Sequence, residues 1–167
     1  HLGYGAIIAI GAYTSTHLVR AHAPFEIAIL AGGLASAMIG SAFGAAALRV
    51  KGLYLAMATL AMQSIVDFII THVGWISGGG QATLTVPTAR LLGFELSGDL
   101  RCYYFALFVC LMVALFMLNV GRSSFGRALA AVREKDYAAA VIGVDSFRFK
   151  LLAFWVSSFI GGLVGAV

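Results

Sequence analysis

Residues 126–143, GRALAAVREKDYAAAVIG, form a polar, alanine-rich insert between two hydrophobic segments, about Cys102 to Val120 and about Phe149 to Val167, each apolar enough to enter a bilayer. The insert reads as a loop with helical content. Ser123 or Ser124 is placed to cap its start, the alanines favour helix, and Gly143 suits the left-handed position just past a helix end. Arg133, Glu134, Lys135 and Asp136 are consecutive, so they point nearly all the way round a helix axis and are expected to leave no continuous apolar stripe. A short, small-sided, charged helix of this kind stays out of lipid and suits a groove on another protein.

The composition around that insert belongs to a membrane protein. Hydrophobic residues make up 61% of the chain and charged residues 11%, and mean hydropathy is +0.96, whereas charged residues run near a quarter in soluble domains. The net charge of +4 would point to nucleic acid in a soluble protein. Here the basic residues sit in loops beside apolar segments, where topology signals belong, and no nucleic-acid partner is implied. Cys102 and Cys110 are eight apart in one apolar segment, a spacing that suits neither a metal site nor a disulfide framework.

Five apolar segments follow one another. The first, about Gly5 to Val19, falls short of the ~30 Å hydrocarbon core and reads as a partial or re-entrant helix. About Phe25 to Leu48 and about Leu53 to Val73 are full-length spans. Residues 74–101 then gather Gly78, Gly79, Gly80, Pro87, Arg90, Glu95 and Asp99, the signature of a loop holding at most a short helix. The fourth span runs from about Cys102 to Val120. The fifth, from about Phe149, is capped by Asp145 or Ser146. The chain starts without methionine or a charged leader and stops at Val167 within an apolar run, so both ends read as truncated.

Orientation follows from the basic residues, which are retained in the cytoplasm near span ends. With Arg49 and Lys51 inside, alternation puts 74–101 outside and 121–150 inside. Arg122, Arg127, Arg133, Lys135, Arg148 and Lys150 then join the inside set, eight of the 11 basic residues. Arg20, Arg90 and Arg101 are outside.

Polar and small residues inside the spans narrow the function. Gly40 and Gly44, and Gly161 and Gly165, are four apart and let helix backbones approach closely, either within the bundle or against a partner subunit. Gln63 and Asp67 are also four apart, hence on one helical face, with Thr59 one turn earlier. A carboxylate at the bilayer centre costs roughly 2.5–3.5 kcal/mol on insertion scales, so Asp67 either lines a watery path, makes a structural hydrogen bond, or reaches interfacial water from its place near the outer end. Thr59 and Ser64 either add polar lining or bond back to their own helix. His17, His22 and His72 fall near span ends, Trp75, Tyr103 and Tyr104 fit an outer aromatic belt, and Trp155 an inner one. No lysine sits in a Walker A context, and neither HExxH nor GxSxG occurs. If ATP drives this protein, another subunit binds it.

The stretch Ser123 to Phe154, SSFGRALAAVREKDYAAAVIGVDSFRFKLLAF, resembles the cytoplasmic loop of ABC-importer permeases of the branched-chain amino acid (LivM-like) type, where GRA-x-x-A-x-R-E-x-x-x-A-A-x-x-x-G contacts the ATPase. Gly11-Ala12-Tyr13-Thr14, Leu48 to Ala56 running on to Thr59-Leu60-Ala61, and Gly78-Gly79 followed by Val86-Pro87 agree in order and spacing. Tyr137 stands where the general motif has glutamate, and Ser64 where an acidic residue is frequent. The resemblance implies an all-α, polytopic transmembrane bundle, of which residues 1–167 are a fragment of one permease domain in the cell inner membrane. Residues 74–101 would be an extracytoplasmic loop and 121–148 a cytoplasmic coupling loop, with Gly126, Arg127, Ala131, Arg133, Glu134, Ala138, Ala139 and Gly143 meeting the ATPase. Thr59, Gln63 and Asp67 are the candidates for the translocation path. The implied partners are ABC ATPase subunits, a second permease subunit and a solute-binding protein, with no cofactor on this chain. The implied solutes are branched-chain or other hydrophobic amino acids. Urea or a short amide is the neighbouring alternative; a secondary transporter or a non-transporting assembly subunit represents other classes.

Overall fold

A computed structural model describes residues 3–48, 53–73, 90–91, 94–95, 99–134 and 145–167. It is an all-α bundle of α1 (Tyr4–Arg20), α2 (Phe25–Ala47), α3 (Leu53–His72), α4 (Asp99–Arg122), α5 (Ser124–Glu134) and α6 (Ser146–Ala166). Arg90–Leu91 and Phe94–Glu95 pair as two short antiparallel strands, β1 and β2. Four helices, α2, α3, α4 and α6, are long and apolar enough to cross a membrane. The chain is a multi-pass membrane protein.

The core is the trio α1, α2 and α6, and small residues build it. Along the antiparallel pair α2 and α6, Gly44 faces Phe154, Gly40 faces Ser158, Ser36 faces Gly162 and Gly32 faces Ala166, one contact per helical turn. The other small face of α6 receives α1: Gly161 lies against Ile7 and Tyr4, and Gly165 against the Ile8 backbone. Helices in lipid gain little from hydrophobicity when they associate, so close backbone approach and interhelical hydrogen bonds hold them together. Both are present. The Ser36 hydroxyl donates to the Ile7 carbonyl (3.0 Å), and the Tyr4 phenol donates to the Ser157 carbonyl (3.2 Å). The glycine pairs at 40/44 and 161/165 therefore serve packing inside this chain.

The α1–α2 connection is tight because α1 ends in a Schellman cap. The Ala23 N–H bonds the Leu18 carbonyl and the His22 N–H bonds the Val19 carbonyl, with His22 at φ 63° in the left-handed position that usually takes glycine. α1 is one unbroken helix of 17 residues, and the Tyr4 bond to Ser157 sets its start level with the middle of α6.

Helix ends sort into two groups. The start of α2 meets the start of α4 through Phe25 and Phe105 (6.2 Å between ring centroids), and the end of α6 lies beside them. At the opposite end, the last turns of α2 approach the early part of α3 and Phe154 of α6, and α5 lies against the first turn of α6. Arg122, Arg127, Arg133, Arg148 and Lys150 thus share one end of the bundle, while Arg20 and Arg101 lie at the other.

The bounds depart from the sequence expectation at the polar ends. Asp99, Leu100 and Arg101, expected in the outer loop, open α4. Gly121 and Arg122 close it, and Ser146 to Arg148 already belong to α6, so both ends of the expected 121–148 loop are helical continuations of spans. Hydropathy drops at charged residues before the backbone leaves the helix, which is why these ends read as loop.

Candidate coupling surface and polar stripe

α4 turns into α5 over a single residue. The Ser123 N–H bonds the Asn119 and Val120 carbonyls (3.1 Å each), and its carbonyl accepts from the Arg127 N–H (3.2 Å). Its hydroxyl donates to the Val120 carbonyl (2.6 Å) and accepts from the Gly126 N–H (3.3 Å). Ser123 therefore ends one helix and caps the next. Gly126 completes the turn, since a Cβ there would lie 2.5 Å from the Val120 and Gly121 carbonyl oxygens. The Arg127 guanidinium donates to the Arg122 carbonyl (3.0 Å) and to the Ser124 hydroxyl (3.1 Å), closing the last turn of α4 as a basic side chain near a helix C-terminus does.

α5 is amphipathic, which corrects the expectation that its charges leave no apolar stripe. Phe125, Ala128, Leu129 and Val132 are drawn inward, Val132 to 3% exposure. Arg127, Ala130, Ala131 and Arg133 face out. The consecutive charges begin only at Arg133, so the helix before them, Ser124 to Val132, is free to carry a stripe at helical spacing. Phe125 stacks on Phe149 at the start of α6 (5.7 Å, 26°), a contact that nothing in the spacing of these residues announced. Asp145 caps α6, accepting from the N–H groups of Phe147 (3.1 Å) and Arg148 (3.3 Å) and pairing with the Arg148 side chain (3.0 Å). Of the expected coupling residues, Gly126, Arg127, Ala131 and Arg133 lie in α5 and Glu134 closes it. Ala138, Ala139 and Gly143 lie outside the described residues.

The polar stripe of α3 does not face one environment. Thr59 is buried, and its hydroxyl donates to the Ala56 carbonyl of its own helix (2.9 Å). Gln63 is half-buried with its amide against Gly5 of α1. Asp67, one turn on, is exposed. Ser64 bonds back to the Leu60 carbonyl (3.3 Å). Beyond Asp67, His72 stacks on Phe68 (4.0 Å, 20°) and its Nδ1 lies 3.1 Å from the Phe68 carbonyl, a helix-end arrangement that fits the interfacial placement expected for it.

α4 stands apart from the core. None of its described residues is buried. Two apolar crevices separate it from α2 and α6: one of about 540 Å³ lined by Phe25, Phe105, Val109 and Val164 among others, and one of about 320 Å³ between Ile29, Phe108 and Phe159.

A family model described as the branched-chain amino acid transport system / permease component matches residues 1–167. The chain belongs to that family. Its relatives include the high-affinity branched-chain amino acid transport system permease proteins LivM of Salmonella typhimurium and Escherichia coli. Each is 30% identical over 190 residues, a match that covers 99% of this chain and 45% of the relative. A probable branched-chain amino acid transport permease protein LivM of Methanocaldococcus jannaschii is 28% identical over 144 residues, covering 84% of this chain and 41% of the relative. The chain thus spans less than half the length of the curated relatives it matches. No solved structure matches it. The family is one of transport permeases, and the bundle of apolar helices with small-residue interfaces is the framework on which its polar residues are placed.

Proposed function

We propose that this chain is the membrane-spanning part of a permease subunit in an ATP-driven importer of branched-chain and other hydrophobic amino acids, working in the cell inner membrane. The observation that carries the reading is α5: a short amphipathic helix, clamped by its apolar stripe at the basic end of the bundle, with Arg127, Ala130, Ala131 and Arg133 turned outward. That face is small and charged, which fits a protein groove better than a lipid surface. An ATPase subunit docks there, and Glu134, Ala138, Ala139 and Gly143 extend the contact. The basic end is cytoplasmic, because eight of the 11 basic residues fall on it when the spans alternate. A second permease subunit completes the path, and a solute-binding protein delivers from the side where α4 begins.

Gln63 and Asp67 line the path on the outer half of α3. An exposed carboxylate within a span is costly in lipid and belongs beside water or protein in the assembled subunit pair. Thr59 bonds its own helix and supports packing beside them.

The test is transport by the purified whole importer in proteoliposomes. Radiolabelled leucine should enter only with ATP on the ATPase side, and unlabelled valine and isoleucine should compete where urea does not. Uptake that runs on an ion gradient without ATP, or that urea suppresses while valine does not, contradicts the reading.

A further inference from the structure

We propose that Phe125 and Phe149 are the joint through which a displacement of α5 enters the transmembrane core, and that α6, rather than α4, is the helix that receives it; this rests on the reading of α5 as the ATPase docking helix.

Two helices flank α5 in the chain, and their mechanical connections differ. α4 is continuous with α5 through Ser123, and among the described residues its ring contact with the core is Phe25–Phe105, at its far end. Its described residues include none that is buried, and crevices of about 540 and 320 Å³ lie between it and α2 and α6. Among the described residues, a push on α5 that passed into α4 would reach the core through that loosely packed far end, and close-packed contacts are what transmit strain.

α6 is the opposite case. Gly32, Ser36, Gly40 and Gly44 of α2 meet it once per turn, and Gly161 and Gly165 seat α1 on its other face. A shift of α6 therefore carries α1 and α2 with it or slides along a smooth track of small side chains. The ring contact between α5 and this unit is the Phe125–Phe149 stack, with Phe149 one residue past the capped first turn of α6. The Asp145 cap makes that turn firm by satisfying the Phe147 and Arg148 N–H groups, so load on the Phe149 ring passes to the helix axis instead of fraying its end. Neither ring is on the outward face of α5, so the pair acts behind the docking surface as positioning residues and does not itself touch the ATPase.

The experiment uses the whole importer with Phe149→Leu, Phe125→Leu, the double variant, Phe149→Tyr, and Ala131→Trp on the outward face. Leucine uptake and leucine-stimulated ATP hydrolysis are measured per mole of inserted permease, together with recovery of the ATPase on affinity purification. Each leucine variant keeps apolar bulk and the covalent connection from α5 to α6. It should retain the ATPase and basal hydrolysis while uptake and stimulation fall roughly tenfold or more, within the usual range of coupling energies between sites. The double variant should be no worse than the singles, because both remove one contact, and Phe149→Tyr should restore uptake. Wild-type uptake in Phe149→Leu overturns the proposal, as does loss of the ATPase from that variant, which would make the pair part of docking. If Ala131→Trp sheds the ATPase while Phe149→Leu transports normally, the docking reading stands and only the joint is wrong. If Ala131→Trp has no effect on recovery or uptake, the docking reading itself has failed.

Discussion

Replacing Gly162 by alanine tests the small-residue core at a close contact between α2 and α6. An added Cβ would lie 2.5 Å from the Ser36 Cβ and 2.8 Å from the Gly32 carbonyl oxygen, whereas carbon atoms in contact rest at roughly 3.5–4.0 Å. The helices must therefore part by about 1 Å, a gap that forfeits a quarter to a half of each dispersion contact nearby. The Ser36 Oγ is as close, at 2.5 Å, but turning it away leaves the Gly32 backbone and the Ser36 Cβ in place, so no rotamer change relieves the clash fully. Overpacking of this kind costs roughly 1–3 kcal/mol. At roughly 2–4 °C per kcal/mol for a protein of this size, the melting midpoint in detergent should fall by several degrees. Gly121→Ala is the matched control, since nothing lies within 4 Å of a Cβ there. It should melt at or slightly above wild type, because alanine is the better helix former by up to ~1 kcal/mol. Adding Ser36→Gly to Gly162→Ala should recover part of the loss, although the bond from Ser36 to Ile7 is forfeited; Ser36→Ala, which removes the Oγ but keeps the Cβ at 2.5 Å, should recover less. A Gly162→Ala protein that melts with wild type, or below which Gly121→Ala falls, refutes the register between α2 and α6.

Ser158 is fully buried against Gly40, and its hydroxyl has no hydrogen-bond partner among the described residues, so Ser158→Ala should be neutral or stabilising by roughly 1 kcal/mol; a clear fall in melting midpoint would mean that the hydroxyl is satisfied. Single cysteines at Leu100 and Ser124, at opposite ends of α4 in a cysteine-free background, should label from opposite sides of the membrane with Leu100 external, and labelling of both from one side contradicts the span order. Asp67→Asn keeps size and hydrogen bonding but removes the charge, so it should reduce leucine uptake at normal expression if Asp67 faces the path; unchanged uptake would remove it from the path.

The spans were legible because lipid demands long apolar runs, and α2 and α3 fall where hydropathy puts them. Charged ends were less so: Asp99 and Arg101 are helical, since a helix end tolerates charges that a bilayer interior does not. The pairs Gly40/Gly44 and Gly161/Gly165 announced close packing, but the full stripe Gly32–Ser36–Gly40–Gly44 and its match to Phe154–Ser158–Gly162–Ala166 depend on how two helices distant in sequence are set in register. α5 shows the same limit on a smaller scale. Its charges from Arg133 onward drew the eye away from Phe125, Leu129 and Val132, whose inward turn needs a neighbour to make sense, and that neighbour is Phe149 in another helix. On α3, a shared helical face for Thr59, Gln63 and Asp67 follows from spacing alone. That Gly3 and Gly5 meet Thr59 and Gln63 while Asp67 is open depends on how α1 and α3 are set against each other in space.

The central claim is that the outward face of α5 receives motion from an ATPase. Ala131 is exposed on that face, and tryptophan there adds bulk where close approach is needed without disturbing the apolar stripe behind it. In proteoliposomes of the whole importer, Ala131→Trp should leave the permease inserted and as stable as wild type, while leucine uptake, leucine-stimulated ATP hydrolysis and recovery of the ATPase on the permease all fall together. Wild-type values for all three at wild-type expression would show that this helix is not where the ATPase docks.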